Sequence, residues 1–326
     1  MPIFDLPLAE LRGYRPDVAE PADFDAFWAD TLAEARSFPG GGRATAWDGP
    51  SAAIDVADVT FPGYGGEPIR AWLTTPRGAS GPLPCVVQFN GYGGGRGLPT
   101  EHLAWANAGY AHLFVDTRGQ GSGWGSGGET PDPHGSGPAF NGFMTRGIAS
   151  PATYFYRRVF TDGVRAVDHA RGLERVDASR VAVTGGSQGG GIALAVAALH
   201  DGVAAVLPDV PFLCHMERAV DLTDAFPYGE LVAYLAVHRD AAARVFATLA
   251  YFDGVVFARR IRVPALFSVA LRDTICPPST VFAAANSVPG GADVEVYPFN
   301  QHEGGDARHW LRQVAWLDDL FGVQRG

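Results

Sequence analysis

The sequence predicts an α/β fold, a mostly parallel twisted sheet with helices on both faces, an N-terminal helical arm and an inserted helical cap. Three observations lead there. Short apolar runs at 85–89, 112–115, 180–184, 204–207 and 265–269 recur between helix-compatible segments, the rhythm of βαβ units whose strands are buried on both faces. Ahead of them 53–59 alternates apolar and polar residues, and 69–73 follows the turn-rich Gly63-Tyr64-Gly65-Gly66, which marks an antiparallel start to the sheet. Third, Gly185-Gly186-Ser187-Gln188-Gly189 lies directly after the apolar Val181-Ala182-Val183 and before the helix-forming run 192–199.

Along the chain, residues 1 to about 40 read as an arm. Its helix, at about 21–36, places Phe24, Phe27, Trp28, Leu32 and Ala35 at helical spacing, so these aromatics belong to a core. Two stretches interrupt the βαβ rhythm. The first, about 119–156, is rich in Gly, Ser and Pro and too long for a simple connection, which makes it functional, interface-forming or disordered. The second, about 211–260, carries two or three amphipathic helices with Phe212, Leu213, Leu231, Tyr234, Leu235, Val245 and Leu249 facing inward, and reads as a cap. A less apolar strand follows at 294–297. The last helix, about 307–321, sets Trp310, Val314, Leu317 and Phe321 at helical spacing and closes one face of the sheet. With no internal repeat, the 326 residues read as a single domain.

Composition removes whole classes of function. A net charge of -10 and no basic run argue against nucleic acid or an anionic membrane as partner, since both require clustered cations. The chain has no lysine, so all 25 basic residues are arginine, which excludes a Schiff base, a Walker lysine and a Ser-Lys dyad. Cys85, Cys214 and Cys276 are widely spaced in apolar sequence, as buried free thiols of a reducing compartment are. The N-terminus lacks a basic, apolar leader pattern and no uncharged apolar stretch reaches spanning length, so a soluble cytoplasmic protein is expected. No HExxH, CxxC or close His/Asp set is present, and 93–97 is not a convincing dinucleotide fingerprint, so neither metal nor cofactor is expected.

Between strand and helix, G-x-S-x-G describes a sharp bend that exposes a serine Oγ above the sheet beside free helix N–H groups. Such a glycine-rich turn also suits a phosphate, so the serine needs partners before it reads as a nucleophile. A base and an orienting acid should follow in the order Ser, Asp, His. Asp273 comes immediately after the apolar strand at 265–269, and His302 lies in a loop past the next strand. Of the histidines, His169, His200 and His309 fall in predicted helices, His112 opens a strand and His134 precedes Ser187. Taken singly, Asp273 would serve equally as a turn cap and His302 as a surface-loop histidine; order and placement together assign Ser187, Asp273 and His302 to a triad. Oxyanion donors would be the backbone N–H groups of Gln188 and of Tyr92, in the glycine-rich Asn90-Gly91-Tyr92-Gly93-Gly94-Gly95 after the strand at 85–89. Glycines there also fit a merely flexible loop.

These residues resemble a known family. Asp116-Thr117-Arg118-Gly119-Gln120-Gly121, Gly185-Gly186-Ser187-Gln188-Gly189-Gly190-Gly191 and His302-Glu303 look like the RGQ, GxSQG and HE signatures of carbohydrate esterase family 7, the acetyl xylan esterases and cephalosporin-C deacetylases. The similarity spans nearly the whole chain, including 209–214 and the stretch 145–162. It implies an α/β-hydrolase fold and a serine carboxylesterase that removes acetyl groups from xylo-oligosaccharides, cephalosporin C and similar small esters without a cofactor. It further implies a ring-like homohexamer with active sites facing an internal cavity and interface segments in 119–156. Carried over by motif, Ser187, Asp273 and His302 are the triad and Tyr92 and Gln188 the oxyanion donors; Arg118 and Gln120 are expected to brace the elbow, an arginine's five donors suiting it to tie loops together, and Glu303 to support the site. Asn90 departs from the pattern, which usually has His there. Another α/β-hydrolase activity, on longer-chain esters, thioesters or peptides, stays open because fold and triad do not set the acyl size or leaving group.

Overall fold

The structure, a computed structural model, describes residues 4–135 and 137–324. The arm holds α1 (Leu8–Leu11) and α2 (Phe24–Ser37). Four strands follow, β1 (Arg43–Ala46), β2 (Ile54–Pro62), β3 (Pro68–Pro76) and β4 (Leu83–Phe89), and then α3 (Ala104–Asn107) leads into β5 (Ala111–Val115). After a long segment with no helix or strand among its described residues come α4 (Phe155–Arg171), β6 (Val176–Gly186), α5 (Gln188–Leu199) and β7 (Ala205–Asp209). Four helices then form the cap region: α6 (Met216–Leu222), α7 (Tyr228–Val237), α8 (Ala242–Leu249) and α9 (Gly254–Ala258). The chain closes with β8 (Leu266–Ala270), α10 (Pro278–Ala285), β9 (Asp293–Tyr297) and α11 (Asp306–Phe321).

Among the described residues nine strands form one sheet of order β1-β2-β3-β5-β4-β6-β7-β8-β9. Pairs from β1 to β5 through β2 and β3 are antiparallel, and from β5 through β4 to β9 every pair is parallel. Burial explains why the strands read differently in sequence. All five residues of β5 and of β8 are buried, hence their unbroken apolar runs, whereas β2 alternates because it lies near an edge.

One face of the sheet is covered by α4, α5 and α10, with α2 packed on α4 and α9 on α5 and α10. Here Trp28 of the arm packs on Phe160, Phe252 and Phe257, and its Nε1 donates to Tyr251 O at 3.0 Å, which fastens arm, α4 and cap into one core. The other face is covered by α3 and α11, where Trp105, Val314 and Leu317 bury against Val86, Ala182 and Leu207.

The structure differs from the sequence reading in several places. Strand β1 was not expected, because its four residues are all exposed and carry no apolar periodicity. The 211–260 stretch holds four helices rather than two or three, with Phe212 and Leu213 buried on the loop after β7 and not on a cap helix. His200 ends α5 as its C-cap instead of lying within a helix. By length and composition 239–258 could pass as a membrane span, yet Val245, Leu249, Val255 and Phe257 within it are buried in the fold.

Candidate active site

The loops leaving the C-terminal ends of the parallel strands meet around a cavity of about 710 Å³, lined among others by Asn90, Tyr92, Trp124, Ser187, Phe226 and His302. This is where open α/β sheets place their ligands. Ser187 joins β6 to α5 with φ 57° and ψ -117°, a conformation that costs a non-glycine residue roughly 1–3 kcal/mol. The bend is that tight because its flanks are glycine: a Cβ on Gly185 would lie 2.5 Å from the Gly189 carbonyl carbon, and one on Gly189 2.2 Å from Phe89 O. Backbone hydrogen bonds then hold the turn, with Ser187 N–H donating to Asp209 O at 2.9 Å and Phe212 N–H to Ser187 O at 2.9 Å.

Asp273, fully buried in the turn after β8, accepts Ile275 N–H at 2.8 Å and Cys276 N–H at 2.9 Å on Oδ1. Its Oδ2 faces His302 Nδ1 at 2.8 Å. An ionised carboxylate can only accept, so Nδ1 carries the proton and Nε2 is left as the acceptor. The loop that presents His302 is shaped by Glu303, whose carboxylate accepts Asn300 Nδ2 at 2.8 Å and Gln301 N–H at 3.0 Å. These bonds, the Asn300 one foremost, hold the Glu303 carboxyl below its usual range. The structure thus brings Ser187, Asp273 and His302, which are far apart in sequence, to one rim of the sheet.

Gln188 is the first residue of α5, so its N–H has no intrahelical acceptor, and Tyr92 lies on the loop after β4. A buried amide pair ties these two segments together. Gln120 Nε2 donates to Gln188 Oε1 at 2.9 Å, Gln188 Nε2 to Gln120 Oε1 at 3.1 Å, and Gly93 N–H to Gln120 Oε1 at 2.8 Å. Tyr156 O–H adds a bond to Gln188 Oε1 at 2.9 Å, and Gln188 Nε2 reaches Asn90 O at 3.3 Å. Gln120 is therefore a strut between the 90–93 loop and the elbow. Arg118 acts elsewhere: fully buried, it bonds Asp162 Oδ1 at 2.8 Å and also Glu67 and Asp132, locking the 119–156 segment to the sheet and α4, not the elbow. Asn90 accepts Thr117 Oγ1 on its Oδ1, while its buried Nδ2 has no partner among the described residues.

Three neighbours of the site escaped the sequence reading. Glu230 of α7, 2% exposed, accepts the Tyr92 phenol O–H on one carboxylate oxygen and Met144 N–H at 3.0 Å on the other; the Tyr92 oxygen in turn accepts Phe143 N–H. Burial, reinforced by the nearby carboxylate, holds the Tyr92 phenol far above its ordinary pKa, and burial raises Glu230 too, against the opposing bond from Tyr92. A lone acid within an apolar helix was the available signal. Trp124, 56% exposed, donates Nε1 to Tyr92 O at 2.7 Å and so reaches the donor loop from the insertion. Cys276 sits where one ligand atom from each of Asp273, Cys276 and His302 lies within 4.8 Å of the others, a proximity that no sequence spacing displays.

Comparison with known proteins agrees with this geometry. The sequence matches the acetyl xylan esterase family (AXE1) over residues 1–320. It is 28% identical over 311 residues to the acetyl esterase Axe7A of Xylanibacter ruminicola, covering 93% of this chain and 68% of that protein. Its structure superposes with TM-score 0.91 on an acetyl xylan esterase from Paenibacillus sp. R4, at 39% identity over 96% of this chain and 99% of the other. Acetyl xylan esterase 1 from Thermoanaerobacterium sp. JW/SL YS485 follows at TM-score 0.89, 32% identity, 98% and 100% coverage. The chain belongs to the acetyl xylan esterase family and is a carboxylic ester hydrolase of the α/β-hydrolase fold.

Proposed function

We propose that the protein removes acetyl groups from acetylated xylo-oligosaccharides, cephalosporin C and similar small acetyl esters, with Ser187, His302 and Asp273 as its catalytic triad. The observation that carries the reading is the 2.8 Å pairing of His302 Nδ1 with buried Asp273 beside the strained Ser187 turn. In this mechanism Ser187 Oγ attacks the acetyl carbonyl carbon while His302 Nε2 takes the hydroxyl proton. The carbonyl oxygen, now an oxyanion, receives hydrogen bonds from the N–H groups of Tyr92 and Gln188. The C–O bond to the sugar then breaks as His302 returns the proton to the leaving alkoxide. Water enters, gives a proton to His302, attacks the acetyl-enzyme and releases acetate as Ser187 recovers its proton.

The test is kcat/KM on matched acetyl, butyryl and octanoyl esters for the wild type and Ser187→Ala. A steep acetyl preference that vanishes in the variant is expected. Substantial turnover by Ser187→Ala would move the nucleophile elsewhere, and a flat or inverted chain-length profile would retain the mechanism and discard the acetyl assignment. The same proposal includes cytoplasmic location and a homohexamer with interface segments in 119–156. A 34.5 kDa particle in light scattering would overturn the hexamer.

A further inference from the structure

We propose that the site also binds a thiophilic divalent cation, Zn²⁺ fitting best, held by Cys276 Sγ and His302 Nε2, completed by Ser187 Oγ, and inhibitory while it stays. Four observations support the site. Cys276 is 1% exposed and adjoins Ile275, which lines the same cavity as Ser187 and His302. Its position is set by the triad itself, through Cys276 N–H donating to Asp273 Oδ1 at 2.9 Å. One ligand atom from each of Asp273, Cys276 and His302 lies within 4.8 Å of the others. Finally, Asp273 Oδ2 already occupies His302 Nδ1 at 2.8 Å, the carboxylate–imidazole arrangement that orients a metal-binding histidine and directs its other nitrogen to the ion.

The geometry suits zinc in particular. Zn–S of about 2.3 Å and Zn–N of about 2.0 Å in a tetrahedron place the two ligand atoms roughly 3.5 Å apart, inside the 4.8 Å within which Cys276, His302 and Asp273 each bring a ligand atom. Sulfur and imidazole favour Zn²⁺ over the oxygen-seeking Mg²⁺ and Ca²⁺. Ser187 Oγ as third ligand leaves the fourth tetrahedral position facing the cavity, open to water. Burial pushes the Cys276 thiol well above its ordinary pKa, so without a cation it stays protonated and is no rival nucleophile. On binding, the S–H bond breaks, the Zn–S bond forms and one proton passes to solvent, while the serine hydroxyl coordinates without ionising.

Inhibition rests on the proposed roles of Ser187 and His302, because a metal-bound Nε2 can no longer accept the serine proton; binding itself does not rest on them. The experiment therefore reads both, on tag-free protein kept under a non-chelating reductant. Co²⁺ alone should produce a near-ultraviolet thiolate-to-cobalt charge-transfer absorption in the wild type and in Ser187→Ala, and none in Cys276→Ser. Zn²⁺ alone should inhibit the wild type reversibly, with recovery on adding EDTA. Cys276→Ser and Cys276→Ala, each measured against its own zinc-free rate, should need about tenfold more Zn²⁺ or beyond for equal inhibition. Absence of the thiolate band in the wild type, its persistence in Cys276→Ser through Cys85 or Cys214, or equal zinc sensitivity in wild type and both variants would overturn the site. A thiolate band together with an esterase-active Ser187→Ala would leave the cation site standing and remove the triad assignment.

Discussion

Removing Glu230 should damage catalysis from the far side of the oxyanion loop. Its buried carboxylate holds the Tyr92 phenol and the Met144 N–H, and the Tyr92 oxygen holds the Phe143 N–H, so one acid joins the cap, the insertion and the segment bearing a proposed oxyanion donor. In Glu230→Ala two donors lose a charged acceptor. A hydrogen bond to a charged group is worth about 1.5–3 kcal/mol, so the loss of two should cost the fold about 3–6 kcal/mol. The expected kinetic effect is separable from this. Loss of a whole oxyanion donor costs about 10²–10³ in kcat, and a Tyr92 N–H displaced but not deleted should cost about 10–100-fold, with KM changed little. Glu230→Gln keeps an acceptor for Tyr92 but turns an amide N–H₂ toward Met144 N–H, and should fall between the two. The assay is steady-state hydrolysis of a chromogenic acetyl ester beside thermal unfolding of all three proteins. If Glu230→Ala unfolds earlier yet keeps wild-type kcat below its melting transition, the phenol anchor does not set the oxyanion donor and the reasoning fails.

Other predictions concern the triad, the elbow and one buried acid. Asp273→Asn should retain the fold, because Oδ1 still accepts from Ile275 and Cys276, but lower kcat by about 10⁴ by presenting the wrong tautomer of His302; a loss below tenfold would remove Asp273 from the triad. Gly189→Ala puts a Cβ 2.2 Å from Phe89 O and should cost at least about 3 kcal/mol, whereas Gly186→Ala meets nothing within 4 Å. Equal melting temperatures for the two would refute the packing account. Asp253, buried at the N-terminus of α9, has its carboxyl raised by burial to about 6 while His215, Met216 and Val255 N–H groups oppose the rise. A raised carboxylate pKa means the folded state binds the proton more tightly than the unfolded one near 3.8. Its stabilising contribution is therefore lost as pH rises through 3.8 to 6 and is restored on acidification, by up to about 3 kcal/mol. The stability difference between wild type and Asp253→Asn, measured by urea unfolding from pH 4 to 7, should move against the wild type with rising pH; movement the other way would mean a depressed pKa.

How legible each part was depended on where its partners sit. Strands β4 to β8 were readable because burial on both faces demands continuous apolar runs, and the elbow because only glycine tolerates the backbone approach at Gly185 and Gly189. His302 and Asp273 were readable from their positions just past strands, since a parallel sheet delivers the ends of successive strands to one rim. Strand β1 was not, because four exposed residues at an edge carry no pattern. Arg118 illustrates a different limit. Its residue type promised multiple contacts, and the structure sends them to Glu67, Asp132 and Asp162 and not to the elbow.

By itself the sequence determined the fold class, the order of the chemical groups and the family, because these follow from local periodicity, glycine sterics and motif order. Only the tertiary structure decided which side chains share a volume. Tyr92 meets Glu230 across 138 positions, and Cys276 joins His302 only after β8 and β9 are set in one sheet. The reason is physical: hydrogen bonds and ion pairs act within about 3 Å and carry no signature along the chain, whereas burial repeats with the period of the element that bears it.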